Sequence, residues 1–87
     1  MNYNNCNAVI TGGASGLGGA TADNIIEHGG KVTIIDIQEE LGMKKAEKLG
    51  SNCQYLNVDI TNEDLVSESF KTILKNTGSI NLTVNCA

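Results

Sequence analysis

Short apolar runs alternate along the chain with longer stretches whose apolar residues recur every three or four positions. The first pattern suits strands and the second suits amphipathic helices. Residues 6–11 contain Ala8-Val9-Ile10 and run into Gly12-Gly13, which predicts a buried strand. Residues 17–28 predict a helix with Ala20, Thr21, Ile25 and His28 at helical spacing and Gly29-Gly30 as its stop. Residues 31–36 (Lys31-Val-Thr-Ile-Ile-Asp36) predict a second, β-branched strand. Residues 38–49 predict a second helix, with Leu41, Ala46 and Leu49 on one side, Glu39 and Glu40 in its first turn and Gly50 past its end.

Residues 53–58 form the third predicted strand. Thr61-Asn-Glu-Asp64 places a hydroxyl at a helix cap and a carboxylate three residues later, a capping-box-like start. The helix it opens, residues 62–77, carries Leu65, Val66, Ser69, Phe70, Ile73 and Leu74 as an apolar stripe. Residues 80–85 form the fourth strand.

The order β-α-β-α-β-α-β implies parallel strands joined by right-handed crossovers, an α/β fold. Strands covered on both faces explain the unbroken run Val32 to Ile35. The expected architecture is the first half of a doubly wound parallel sheet of Rossmann type, in strand order 3-2-1-4, with a ligand crevice where that order reverses. The first two helices would cover one face and the third the other. The fourth strand would be an open edge, so residues 1–87 alone are expected to be marginally stable or to associate.

Composition narrows the function. The chain has 87 residues, room for one domain at most, and a net charge of −4. All its basic residues are Lys, and none forms a stripe, which argues against nucleic acid. No apolar run reaches membrane-spanning length. Met1 to Ala8 carries no basic residue and does not read as a targeting segment, so the default compartment is the cytoplasm. Cys6, Cys53 and Cys86 are odd in number and far apart. They are expected as reduced, buried small side chains rather than as a disulfide or metal site.

The chemistry concentrates in Thr11-Gly12-Gly13-Ala14-Ser15-Gly16-Leu17-Gly18. Glycine-rich loops are common turn material, but this one joins a predicted strand to a predicted helix. Gly12 allows a sharp turn, Gly16 removes a Cβ where backbone must approach a diphosphate, and Gly18 lets the helix pack close to the strands. The helix N-terminus offers N–H groups and a positive dipole end to phosphates. The Ser15 hydroxyl and the Leu17 N–H are the candidate donors.

Asp36 ends the second strand, 18 residues after Gly18, where an acid binds the adenosine ribose. A solvated acid at a strand end is common, yet position and spacing together favour the ribose role. With Ile37 next and no Lys or Arg in the glycine loop, the expected cofactor is NAD(H) rather than NADP(H). Asp59-Ile60 closes the third strand. Asp59 either accepts from the adenine amino group while Ile60 frames the ring, or simply leads into the helix after Thr61.

Together, Thr11-Gly12-x3-Gly16-x-Gly18, Asp36, Asp59-Ile60 and Asn85-Cys86-Ala87 resemble the short-chain dehydrogenase/reductase family in order and spacing. Asn85-Cys86-Ala87 is similar to that family's Asn-Asn-Ala-Gly segment. The resemblance implies hydride transfer between NAD and a secondary alcohol or ketone, with a 3-hydroxyacyl-CoA or a hydroxysteroid as substrate. It implies that Ser15 and Leu17 face the diphosphate, Asp36 the ribose, Asp59 and Ile60 the adenine, and Cys86 the cofactor through its backbone. It also implies a homo-oligomer for the full-length protein and admits a mitochondrial location.

The family's chemistry needs a Tyr with a Lys four residues later, and a Ser. Four residues after Tyr3 and Tyr55 stand Asn7 and Asp59, so no catalytic residue is assigned. His28, the sole histidine, is expected to serve the helix C-terminus. Residues 1–87 are therefore expected to be the NAD-binding N-terminal part of a single domain, cut before its catalytic half and inactive alone. The competing reading is a stand-alone nucleotide-binding module. Termination at Ala87, inside a motif, favours the fragment.

Overall fold

The computed structural model describes residues 6–86. Its elements are β1 (Asn7–Thr11), α1 (Gly16–Glu27), β2 (Lys31–Asp36), α2 (Glu39–Leu49), β3 (Cys53–Asn57), α3 (Glu63–Thr77) and β4 (Leu82–Asn85). The four strands form one parallel sheet in the order β3-β2-β1-β4, as the alternation of elements predicts.

The sheet sorts side chains by parity, because successive strand residues point to opposite faces. Ala8, Ile10, Val32, Ile34 and Cys53 pack with Ala22 and Ile25 of α1. Val9 and Ile35 pack with Ile73 of α3 on the other face. β1 and β2 thus lie buried on both sides, and each Val or Ile so covered contributes about 1.5–3 kcal/mol. β4 is largely exposed and forms one edge of the sheet. The ion pair of Lys45 Nζ with Asp23 Oδ1, 2.6 Å, ties α1 to α2.

Several sequence expectations shift. The buried face of α1 is Gly18, Gly19, Ala22 and Ile25, while Ala20 and His28 are exposed. Close approach to the sheet selects the face with the smallest residues rather than the most apolar ones. His28 caps α1, and its ring Nδ1 lies 2.8 Å from the Asn24 carbonyl. In α2, Leu41 is 43% exposed and Gly42 is the buried residue. In α3, Ser69 and Ile73 are buried while Leu65 and Leu74 lie on the flanks.

Asn62, not Thr61, caps α3, its Oδ1 accepting from Leu65 N–H at 3.1 Å. The Thr61 hydroxyl is drawn back to Asp59 Oδ1 at 2.7 Å. The fourth strand starts at Leu82 rather than residue 80, and Ile80 packs beneath α3 instead.

All three cysteines carry free thiols, but only Cys53 is buried. Burial pushes its thiol from 9.0 up to about 11, with Lys45 pulling it down and Asp23 pushing it up more weakly. An unfolded chain therefore ionises this thiol before the folded one does. Its stabilising contribution is complete below about pH 9 and is lost as pH rises toward 11. Tyr55, also raised, adds the same sign above 10. Cys53→Ala is expected to flatten the fall in melting temperature between pH 9 and 10 in thermal unfolding scans of the full-length protein. An unchanged slope would remove Cys53 from that account.

Candidate functional site

β1 lies between β2 and β4, so the chain leaves β1 at the point where strand order reverses. Gly12 and Gly16 take positive φ, 70° and 60°, where an L side chain is strained. Gly12 N–H still donates to Ile35 O at 2.8 Å, which holds the turn against β2. A Cβ at Gly18 would collide with the Gly12 carbonyl oxygen and stand 3.1 Å from Gly13 Cα. Gly18 therefore allows the close approach that was expected of it, but to the glycine loop rather than to the strands. Nothing lies within 4 Å of a Cβ placed on Gly16, so this residue answers to φ and faces open space.

The three helix N-termini among the described residues differ. α3 has its Asn62 cap with Glu63 and Asp64 in the first turn. α2 has Glu39 and Glu40 there. α1 has Ser15 as its N-cap, which makes no side-chain capping bond, and its first turn holds no acid. The first α1 backbone bond runs from Gly19 N–H to Ser15 O, 3.1 Å. The N–H groups of Gly16, Leu17 and Gly18 make no hydrogen bond among the described residues. Ser15 and Leu17 are exposed, the Leu17 side chain 76% so. A helix end with a positive dipole, free donors and no competing carboxylate suits an anion.

Asp36 is 7% exposed and points at this loop rather than into solvent. Its Oδ2 accepts from Ala14 N–H at 3.2 Å, and its Oδ1 accepts from Gln38 N–H at 3.0 Å and Gln38 Nε2 at 3.4 Å. A carboxylate has about four acceptor positions, so room remains for one more donor. Beside it opens a cavity of about 200 Å³ lined by Gly12, Asp36, Ile37, Val58, Asp59 and Ile60. The structure thus brings together Gly12, Asp36, Asp59 and Ile60 at the carboxyl ends of β1, β2 and β3. A larger cavity of about 240 Å³ lies at the opposite end of the sheet, around Lys31 and Asn52, and shares no residue with the glycine loop. Ligands of open α/β sheets bind at the carboxyl ends, so the smaller cavity is the candidate site.

Asp59 makes the helix lead-in that its sequence position allowed. Its Oδ1 accepts from Thr61 N–H at 2.9 Å and from the Thr61 hydroxyl at 2.7 Å, which leads the chain into α3. These bonds hold its carboxyl below the usual range. It also walls the cavity.

Asn85 and Cys86 lie elsewhere, across β1 on the β4 side. Thr11 Oγ1 donates to Asn85 Oδ1 at 2.7 Å, and Cys86 N–H donates to Thr11 O at 3.0 Å. The Cys86 N–H is therefore already engaged within the sheet. Ala87 lies outside the described residues. Val58 and Thr61 were missed as cavity walls, and nothing in residue type or spacing marks them. Gly13 was missed too: a Cβ there would press on Ile34 Cγ2 at 3.1 Å and Ile10 Cγ2 at 3.2 Å.

The profile of the short chain dehydrogenase family matches residues 6–87. Over 83 residues the chain is 40% identical to 3-hydroxyacyl-CoA dehydrogenase type-2 of Drosophila melanogaster, covering 95% of this chain and 32% of that protein. Over 80 residues it is 42% identical to tropinone reductase-like 2 of Erythroxylum coca, covering 92% and 29%. The fold matches the crystal structure of 3-ketoacyl-(acyl-carrier-protein) reductase from Brucella melitensis complexed with NADH. There the TM-score is 0.86 at 27% identity, over 90% of this chain and 32% of that one. The chain spans about a third of the length of these proteins.

Proposed function

The chain belongs to the short-chain dehydrogenase family, and on that premise we propose that residues 1–87 are the NAD(H)-binding N-terminal part of a single-domain oxidoreductase. The observation that carries this reading is the acid-free, uncapped start of α1 beside a carboxylate fixed at the tip of β2. The cofactor fits these residues. Ser15 Oγ and the N–H groups of Leu17 and Gly18 would receive the diphosphate, across the open space at Gly16. Asp36 would accept a ribose hydroxyl at its remaining acceptor position. Asp59 and Ile60 would face the adenine, and Asn85, Cys86 and Ala87 the cofactor from the β4 side.

NAD rather than NADP is the nucleotide this site favours. Asp36 and Asp59 both wall the cavity, no Lys or Arg does, and a 2′-phosphate would add charge of the same sign.

Bound NAD(H) supplies the hydride acceptor or donor. The residues of this chain bind and orient it. The acid–base group for a secondary alcohol or ketone lies outside residues 1–87. The relatives named for 3-hydroxyacyl-CoA support that substrate class; a hydroxysteroid as the next candidate and a homo-oligomeric full-length protein rest on the family resemblance alone.

The test is a titration of full-length protein with NADH and with NADPH, followed by nicotinamide fluorescence. NADH is expected to bind at least about tenfold more tightly, a difference of roughly 1.4 kcal/mol. Equal or tighter NADPH binding would overturn the assignment of Asp36 to the ribose.

A further inference from the structure

Gly42 sits in the middle of α2, where glycine is a poor helix former. Its φ is not positive, so backbone conformation does not require it. The reason is Tyr55. A Cβ on Gly42 would run into the Tyr55 ring, with Cζ only 2.6 Å away. The ring lies against the helix where a side chain would otherwise stand. From there the Tyr55 hydroxyl donates to the Asp36 carbonyl at 2.6 Å. By register Tyr55 pairs with Ile34, so its side chain reaches two residues along β2 to find the strand's last carbonyl. Burial, then the carboxylates of Asp36 and Glu39, push the Tyr55 hydroxyl above its ordinary value of 10.0, which keeps it a donor.

We propose that Tyr55, seated against Gly42, is a positioning residue that fixes Asp36 for the ribose and thereby sharpens the choice of NAD(H). The inference rests on the cofactor reading above. The Asp36 carboxylate is aimed by Ala14 and Gln38, which lie in the turns on either side. Tyr55 supplies the hold on the Asp36 backbone from the neighbouring strand, and its ring ties that hold to α2. Loss of the hydroxyl leaves the tip of β2 and the turn into α2 less constrained. The carboxylate then occupies the ribose-binding geometry a smaller part of the time.

The experiment compares wild type, Y55F, G42A and D36A in the full-length protein. It reads dissociation constants for NADH and NADPH, KM and kcat, and melting temperature. Y55F keeps the ring and removes one hydrogen bond. Its NADH dissociation constant is expected to rise about three- to tenfold, with the change falling on KM rather than kcat. The NADH-over-NADPH preference should narrow by a similar factor. G42A, which displaces the ring, is expected to move in the same direction.

A Y55F protein with a lower melting temperature but unchanged NADH affinity and unchanged preference overturns the proposal, because Tyr55 would then be structural only. If D36A loses the preference while Y55F keeps it, the positioning role fails and the cofactor reading survives. If the wild type binds neither nucleotide, both fail.

Discussion

Gly18→Ala is expected to lower both the stability and the NADH affinity of the full-length protein, although alanine is the better helix former by about 1 kcal/mol. The reason is the Gly12 carbonyl, which occupies the place the new methyl would take. That carbonyl cannot retreat cheaply. Gly12 is held by its N–H bond to Ile35 O at 2.8 Å and by a φ of 70°. Gly13 behind it has little spare room, since even a Cβ there would stand 3.1 Å from Ile34 Cγ2 and 3.2 Å from Ile10 Cγ2. So α1 must move instead, and overpacking of this kind costs about 1–3 kcal/mol.

The same movement would carry the N–H groups of Leu17 and Gly18 away from the diphosphate position proposed above, so NADH affinity should fall by more than about tenfold. Gly19→Ala is the internal control. A Cβ there meets Lys45 Cε at 3.6 Å and Gly13 O at 3.7 Å, ordinary contacts. It is expected to be neutral or to stabilise by up to about 1 kcal/mol. Thermal unfolding and NADH titration of the two variants check this. If Gly18→Ala behaved like Gly19→Ala, close loop-to-helix packing would not be what Gly18 is for.

That pair shows what was legible in the sequence and what was not. The fold was readable because β-branched runs such as Val32 to Ile35 and glycine stops such as Gly29-Gly30 and Gly50 are local signals. The order of elements then leaves few topologies. The site was readable as far as it is built from backbone: Gly12, Gly16 and Gly18 announce a bend, an open approach and a tight packing, and the structure places each accordingly.

What failed depends on which of several candidate faces packs. Ala20 and Leu41 fit a helical stripe, but the helices turn their glycines to the core instead, because Gly18 and Gly42 each make room for a particular neighbour. Thr61 fits a capping box, but Asp59 competes for its hydroxyl and Asn62 takes the cap. Long-range partners such as Tyr55 with Asp36 leave no spacing rule at all.

Asp36→Asn is expected to have two separable effects on the full-length protein: a loss of stability and of affinity for both nucleotides, and a shift in cofactor preference toward NADPH by about 10- to 100-fold. The first is local. The Asp36 oxygens accept from Ala14 N–H on one side and Gln38 N–H on the other. An asparagine has one acceptor and one donor end, so one of those N–H groups would face an NH₂. An unsatisfied or mismatched buried group costs about 1–3 kcal/mol. The glycine loop then loses part of its tether to β2, which weakens both nucleotides and lowers the melting temperature.

The second effect is electrostatic and acts on NADPH alone. Removing the negative charge removes its repulsion of a 2′-phosphate, while the Asp59 charge stays in the wall. Salt separates the two effects. Repulsion at a partly open cavity is screened, with a Debye length of about 10 Å at 0.1 M. In the wild type, added salt should therefore raise NADPH affinity relative to NADH, and in Asp36→Asn that dependence should shrink. A preference that stays unchanged in Asp36→Asn, with only the melting temperature lowered, would mean that this carboxylate serves the loop and not the ribose. The selectivity would then have to arise outside residues 1–87.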